Sequence, residues 1–318
     1  MQLAFGIVRG CLMALIPAVA VAFASVSTAQ EAAGPTAGAP RKLAPGVLTV
    51  IQPEREEKDT FSGPRPVVEV TEGPFPVWTP EHLPQNAILK EIAKKTTFRR
   101  DIWCLEFAFK PVRMIRIELP VDDPPPENKP VRMENKLIWY MVYRVRNLGY
   151  HLKPDSADDG FTTIEKVNAP IRFFPAIVLE SHGFDKAYLD QLIPVAQAAI
   201  NRREDPNIRL FNSVEISKLN IEVSDERADR PVWGVSMWEG VDPRTDEFSI
   251  YVQGLTNAYR FEDPEGAFTS GDPPGTGRRY YRKTLKLNFW RPGDEIDLKE
   301  SEIRYGIPGQ VDYEWVFR

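Results

Sequence analysis

Cysteine and histidine are scarce in this chain, which leaves little material for metal sites or nucleophilic centres. The 318 residues hold two cysteines, Cys11 and Cys104, and three histidines. His82, His151 and His182 are far apart, and none falls in a metal-ligand spacing such as HExxH. No serine sits in a G-x-S-x-G elbow. The Gly-rich stretch 271–277 contains no lysine and leads into no strand–helix junction, which argues against a phosphate loop. Basic residues do not dominate: 40 Lys and Arg stand against 45 Asp and Glu, for a formal net charge of −5. That balance carries no electrostatic footprint for nucleic acid. Beyond the N-terminus no apolar run approaches the roughly 20 residues of a membrane span. No cofactor or metal is expected.

The clearest positive signal is the first 29 residues. Arg9 is the one charge among them, and residues 11–26 are apolar apart from Pro17 and Ser25. Ser27-Thr28-Ala29 then places small residues at the −3 and −1 positions of a cleavage site. This is the layout of a signal peptide, so residues 1–29 read as a cleaved leader and the mature chain as periplasmic or extracellular. The Arg9-Gly10 that precedes Cys11 does not suit a lipidated cysteine. Cleavage removes Arg9 and leaves 39 basic against 45 acidic residues, a net charge of −6. It also removes Cys11, so no disulfide can form within the mature chain and stability must come from a packed core. Cys104, in an apolar strand-like run, reads as a buried structural thiol. No transmembrane span is expected after cleavage.

Residues 30–64, rich in Ala, Gly, Pro and charge, read as a flexible tether, with a short strand possible at 48–51. Residues 65–318 read as one β-rich globular region, with a possible subdivision near 228. A strand is expected at 67–70 and a short helix at 86–95. Trp103, Leu105, Phe107 and Phe109 alternate, and after Pro111 the alternation resumes at Ile115, Ile117 and Leu119. Period two places such side chains on one face of a sheet, and Pro111 suggests a bulge or a change of sheet. Leu137, Trp139, Met141, Tyr143 and Val145 line one face of the strongest strand in the chain. Strands are also expected at 171–174 and 176–179.

The stripe Tyr188, Leu189, Leu192, Ile193, Ala196, Ala199 and Ile200 predicts a helix over 185–203 with Asp185 as N-cap. Pro194 should kink it or open a second helix. Residues 214–216, 219–223, 281–290 and 313–317 read as strands. Those at 231–238 and 248–253 read as a β-hairpin around the turn residues at 240–246. Loops are expected at 122–126, 154–160 and 264–277. The fold class is therefore mainly β: an antiparallel β-sandwich, immunoglobulin-like as first choice, with one inserted, Pro-kinked helical segment.

Three stretches carry a resemblance: Trp139-Tyr140-Met141-Val142-Tyr143-Arg144-Val145, Pro194-Val195-Ala196 with residues 199–204, and Val232-Trp233-Gly234-Val235-Ser236-Met237-Trp238 with residues 241–246 and 251–258. Together they resemble exported bacterial proteins to which no function is assigned. The resemblance covers about 102–317 and implies export and a single extended unit, but brings no activity, cofactor or catalytic residue.

Aromatic excess is the remaining lead. The chain has seven tryptophans. Trp233, Trp238, Trp290 and Tyr251 fall in the C-terminal β region as candidate binding residues. Core packing is the ordinary use of such side chains, whereas an exposed group would stack on sugar rings. Ser181 beside His182, Glu239 beside Trp238, and turn carboxylates at Asp155, Asp242 and Asp246 are weaker leads toward a hydrolase or a calcium site. The function class that follows is a non-catalytic envelope protein that binds or scaffolds a partner protein. Carbohydrate or peptidoglycan binding stands second, and hydrolysis third. If the leader is cleaved as expected, N-terminal sequencing of the protein secreted by a bacterial host starts at Gln30. A secreted form that retains Met1 would overturn the leader assignment.

Overall fold

Alternation from Leu137 to Val145 calls for a strand with two usable faces, and both faces turn out to be used. The structure, a computed structural model of the chain, describes residues 39–62, 98–121, 132–156, 162–225, 227–267, 276–292 and 303–318. In chain order its strands are β1 (Thr49–Ile51), β2 (Phe61–Ser62), β3 (Phe98–Arg99), β4 (Glu106–Phe109), β5 (Arg113–Pro120) and β6 (Met133–Arg146). They continue with β7 (His151–Ser156), β8 (Thr162–Val167), β9 (Ile171–Arg172), β10 (Ala176–Ser181), β11 (Lys186–Leu189) and β12 (Asn220–Ile221). The last are β13 (Val232–Glu239), β14 (Glu247–Gln253), β15 (Tyr259–Glu262), β16 (Arg279–Trp290), β17 (Arg304–Tyr305) and β18 (Tyr313–Phe317). Two α-helices lie among the described residues, α1 (Pro194–Glu204) and α2 (Ser213–Ile216), besides a 3-10 turn at Glu57–Thr60. The leader, the strand expected at 67–70, the helix expected at 86–95, the loop at 122–126 and His82 lie outside the described residues.

The protein is mainly β, and the strands of its sheets pair antiparallel. The first large sheet runs β1-β4-β6-β13, with β5 also on β6. The second runs β11-β10-β14-β16, and β15, β17 and β18 also pair with β16. They pack face to face: Phe107, Phe109, Trp139, Met141 and Tyr143 of the first share one core with Leu179, Phe248, Ile250, Leu287 and Phe289 of the second. Trp139 meets Phe248 edge-on, and Phe248 stacks on Phe289. The other face of β6 and β13 (Ile138, Tyr140, Val142, Val235, Met237) packs against Ala196 and Ile200 of α1 and against Leu210. The result is helix on sheet on sheet. The strand orders support a sandwich without singling out an immunoglobulin topology.

Pro111 does make a bulge. Phe109 pairs with Tyr143 and Arg113 with Tyr140, so four steps along one strand match three along the other. The extra residue reverses the alternation. Leu105, Phe107 and Phe109 enter the inter-sheet core, whereas Ile115, Ile117 and Leu119 pack on the helix side. The single face read from the sequence is thus two faces.

Four further expectations are corrected. Residues 231–238 and 248–253 do not form a hairpin: β13 pairs with β6 in one sheet and β14 with β10 and β16 in the other. The loop between them crosses the sandwich, held by the buried Arg291, whose guanidinium donates to the Thr245 and Pro243 carbonyls. The helix expected over 185–203 starts only at Pro194, which occupies its first turn. Residues before a proline are driven away from helical angles, and 186–189 instead pair with the edge of β10. Residues 214–216 are helix, not strand, because Asn212 and Glu215 close a capping box. Part of the expected tether is packed. Thr49–Ile51 pairs with β4, and Glu54, Glu56 and Asp59 surround the ammonium of the buried Lys283 at 3.0–3.3 Å.

Helix α1 buries only Ala196 and Ile200 fully, so its polar attachment matters. Glu204, at its C-terminal end, accepts from Lys110 Nζ at 3.2 Å, Arg113 Nη1 at 2.9 Å and the Tyr140 hydroxyl at 2.8 Å. Burial alone would raise the Glu204 pKa. The Tyr140 hydroxyl and the two cations outweigh it and hold the carboxyl below its ordinary 4.5. We expect Glu204→Gln to cost about 3 kcal/mol at pH 7 in urea unfolding, because two nearly buried cations lose their counter-charge. A depressed native pKa contributes stability above the unfolded value and loses it as pH falls through the native one. The difference between wild type and variant should therefore be constant above pH 4.5 and close below it. A difference that persists unchanged in acid would show that the pair contributes nothing.

Candidate functional site

The four aromatic residues singled out from the sequence do not share a surface. Trp238 is wholly buried in the inter-sheet core. Trp233 faces the helix side, half-buried, with Lys110 and Arg144 about 6 Å from its ring centre. By strand alternation Tyr251 and Trp290 lie on the outer face of the second sheet, since Ile250 and Phe289 point into the core. Arg318 covers the Tyr251 ring at 3.9 Å and Arg304 lies 5.2 Å from Trp290. Trp290 pairs with Glu247, four residues from Tyr251, so the two rings stand about 14 Å apart along the strand.

Between them lies a polar chain. His182 Nε2 is 2.7 Å from Ser249 Oγ, and Ser249 Oγ is 2.6 Å from Asn288 Oδ1. With Glu247 4.0 Å from His182 Nδ1, the residue types are those of a hydrolase triad. The protons run the wrong way for one. Asn288 Nδ2 donates to the Val311 carbonyl, so its Oδ1 accepts the only hydroxyl hydrogen of Ser249. His182 must then donate to Ser249 rather than take a proton from it. Ser249 is also fully buried. Burial holds the His182 pKa below its ordinary value, with Lys286 adding to the effect. Ser181 is engaged by the Thr245 hydroxyl at 3.3 Å, and Glu239 by Lys136 at 2.6 Å. Asp242 accepts from both Lys186 and Arg244. Burial pushes the Cys104 thiol up to about 12, which makes it inert. Among the described residues no group of three or more His, Cys, Asp or Glu is placed to hold a metal. Asp158 and Asp159, from the loop read for calcium, lie outside them.

A cleft of about 730 Å³ opens where β6 ends. Its walls are Arg146 at the end of β6, Leu148 and Tyr150 after it, Asn168 after β8, and residues 223–225, 227 and 229 ahead of β13. Asn147 holds these three segments together. Buried at 0% exposure, its Nδ2 donates to the Ala169 and Ile221 carbonyls at 2.8 and 3.0 Å, and its Oδ1 accepts from the Gly149 amide at 2.9 Å. Its backbone carbonyl accepts from Ser224. The floor is charged but balanced, because Arg146 is forked onto the buried Glu106 and also reaches Asp229.

The rim is strained. Tyr150 has φ +56, the one described non-glycine residue with positive φ, and the residue is 59% exposed. Gly149 before it has φ +68 and no room for a side chain, since a Cβ would stand 2.1 Å from Asn168 Oδ1. Asn168 Oδ1 accepts from the Tyr150 amide, and Arg55 donates to the carbonyls of Gly149 and Tyr150. A left-handed tyrosine costs about 1 kcal/mol or more, and strain of this kind gathers at functional sites.

In the sequence this region is the Asn147-Leu148-Gly149 turn that closes β6. Its one local signal is Asn147-x-Gly149, an asparagine two residues before a glycine. No protein-family model matches the chain. No curated protein matches it. No solved structure matches it.

Two substitutions probe the construction of the cleft. Asn147→Ala leaves two buried carbonyls and an amide without their partner and should cost about 2–4 kcal/mol in chemical denaturation. Tyr150→Gly relieves the left-handed strain against added chain entropy, and stability should hold or rise by up to about 1 kcal/mol. A loss of more than that on Tyr150→Gly would mean that the ring is structural.

Proposed function

We propose that the chain is an exported, non-catalytic binding protein of the cell envelope, and that the cleft beside Tyr150 is its binding site. The observation that carries this is Tyr150 itself, a large aromatic ring held exposed at a strained position over a cleft of ligand size. The leader pattern and the resemblance to exported proteins support the compartment. The proton directions around Ser249 support binding rather than turnover. No helix among the described residues is long and apolar enough to cross a membrane.

Thermal unfolding of the mature protein with and without soluble envelope extract tests the proposal. The extract should raise Tm of the wild type and leave that of Arg227→Ala, a surface substitution, where it was. Equal shifts for both proteins, or none for either, would remove the cleft as the site. Hydrolysis of an ester, peptide or glycan that disappears in His182→Ala would replace binding with catalysis.

A further inference from the structure

Among the described residues, three places offer polar groups to a ligand: the outer face of the second sheet, the turn between β10 and β11, and the cleft. On the outer face the side chains satisfy one another: Lys286 with Glu314, Arg318 with Glu180, and His182 through Ser249 to Asn288. At the turn, a hollow of about 400 Å³ is lined by the contiguous residues 180–187. Lys186 there is committed to Asp242.

The cleft differs, because its groups keep capacity. The Arg227 guanidinium has no partner among the described residues. Asn168 uses only Oδ1, which leaves its Nδ2 to donate. Asp225 spends Oδ1 on the amides of Arg227 and Ala228, which leaves Oδ2 to accept. Those two amides hold its pKa below the ordinary carboxylate value, so it is charged at neutral pH. Beside these stand the Tyr150 ring, Leu148 and Val223.

Resting on the binding function proposed above, we infer that the ligand of this cleft is a neutral oligosaccharide, with one sugar ring laid on Tyr150 and its hydroxyls shared among Arg227, Asp225 and Asn168. Each sugar hydroxyl donates and accepts, as this mixture of free donors and acceptors requires. A carboxylate or phosphate would meet Asp225 and Asp229 at the same mouth. A purely apolar ligand would bury the free polar groups without partners, at a cost. A peptide adding as a strand would need an open backbone edge. The nearby backbone is taken: Asn147 bridges to Val223, Ser224 donates to the Asn147 carbonyl, and Asp225 donates to the Ala228 carbonyl.

Calorimetric titration of the mature protein with chitotetraose, cellotetraose and maltotetraose tests this, with a polyglutamate peptide as the anionic comparison. At least one oligosaccharide should bind. Its affinity should be nearly unchanged between about 50 and 500 mM NaCl, since no ion pair forms. Tyr150→Gly should weaken it roughly tenfold and Tyr150→Phe by much less, since the ring and not the hydroxyl supplies the platform. Oligosaccharide silence, while envelope extract still shifts the wild type and not Arg227→Ala, overturns the glycan and leaves the binding function standing. Binding of polyglutamate that fades with salt, or of an uncharged peptide, overturns it in the same way. Silence toward the whole panel and toward the extract overturns both.

Discussion

From Ile138 to Tyr143 both faces of β6 are closed to water, and a strand in that position needs an apolar layer on each side. Trp139, Met141, Tyr143 and Val145 press against the second sheet, while Ile138, Tyr140 and Val142 meet α1 and its neighbours. The same strand is paired along both edges, with β4 and β5 on one and β13 on the other. A one-residue slip in any of these pairings would exchange the two cores. The bulge at Pro111 shows the chain using that rule, since one extra residue lets β4 feed one core and β5 the other. Close packing enforces the register of β13 as well. The Tyr143 ring lies over Gly234, where an added Cβ would stand 2.3 Å from a ring carbon.

The polar interior follows the same logic. Lys283 is almost wholly buried, and the carboxylates of Glu54, Glu56 and Asp59 meet it. An isolated ammonium could not remain there charged. This cluster pins residues 54–59 to the second sheet, and Arg55, within the same segment, donates to the carbonyls of Gly149 and Tyr150. A buried cation on one sheet is thereby linked through a few residues to the rim of the cleft at the end of the other. Glu204 does for α1 what Lys283 does for the N-terminal segment.

Seen this way, the cleft is a soft place on a well-satisfied scaffold. The outer face of the second sheet holds its charges in pairs, and the serine–histidine contact directs its proton away from nucleophilic chemistry. At the cleft the donors and acceptors keep capacity, the aromatic ring is held out at a conformational cost, and the loops are ordered by one buried asparagine. Capacity, strain and a fixed frame together are what a binding surface needs and what a folding core avoids.

Alternation alone was enough to determine that the chain is mainly β, where its long strands run, and that Pro111 interrupts one of them, because side-chain period and proline geometry are local properties. The helix over 213–216 reads as strand, although the Asn212 and Glu215 of a capping box are a local signal for it. Which strands pair was not local. β13 and β14 look like neighbours along the chain and belong to different sheets, because burial on β6 outweighs proximity. Tyr188 and Leu189 fit a helical stripe and lie in an edge strand, because Pro194 bars the helix and β10 offers partners. Exposure was just as hidden: Trp238 and Tyr150 are both aromatic residues near strand ends, and only packing decides that the first is sealed in and the second left out. The cleft arises where three separate loops meet on the side chain of Asn147, a convergence that no spacing along one chain can encode.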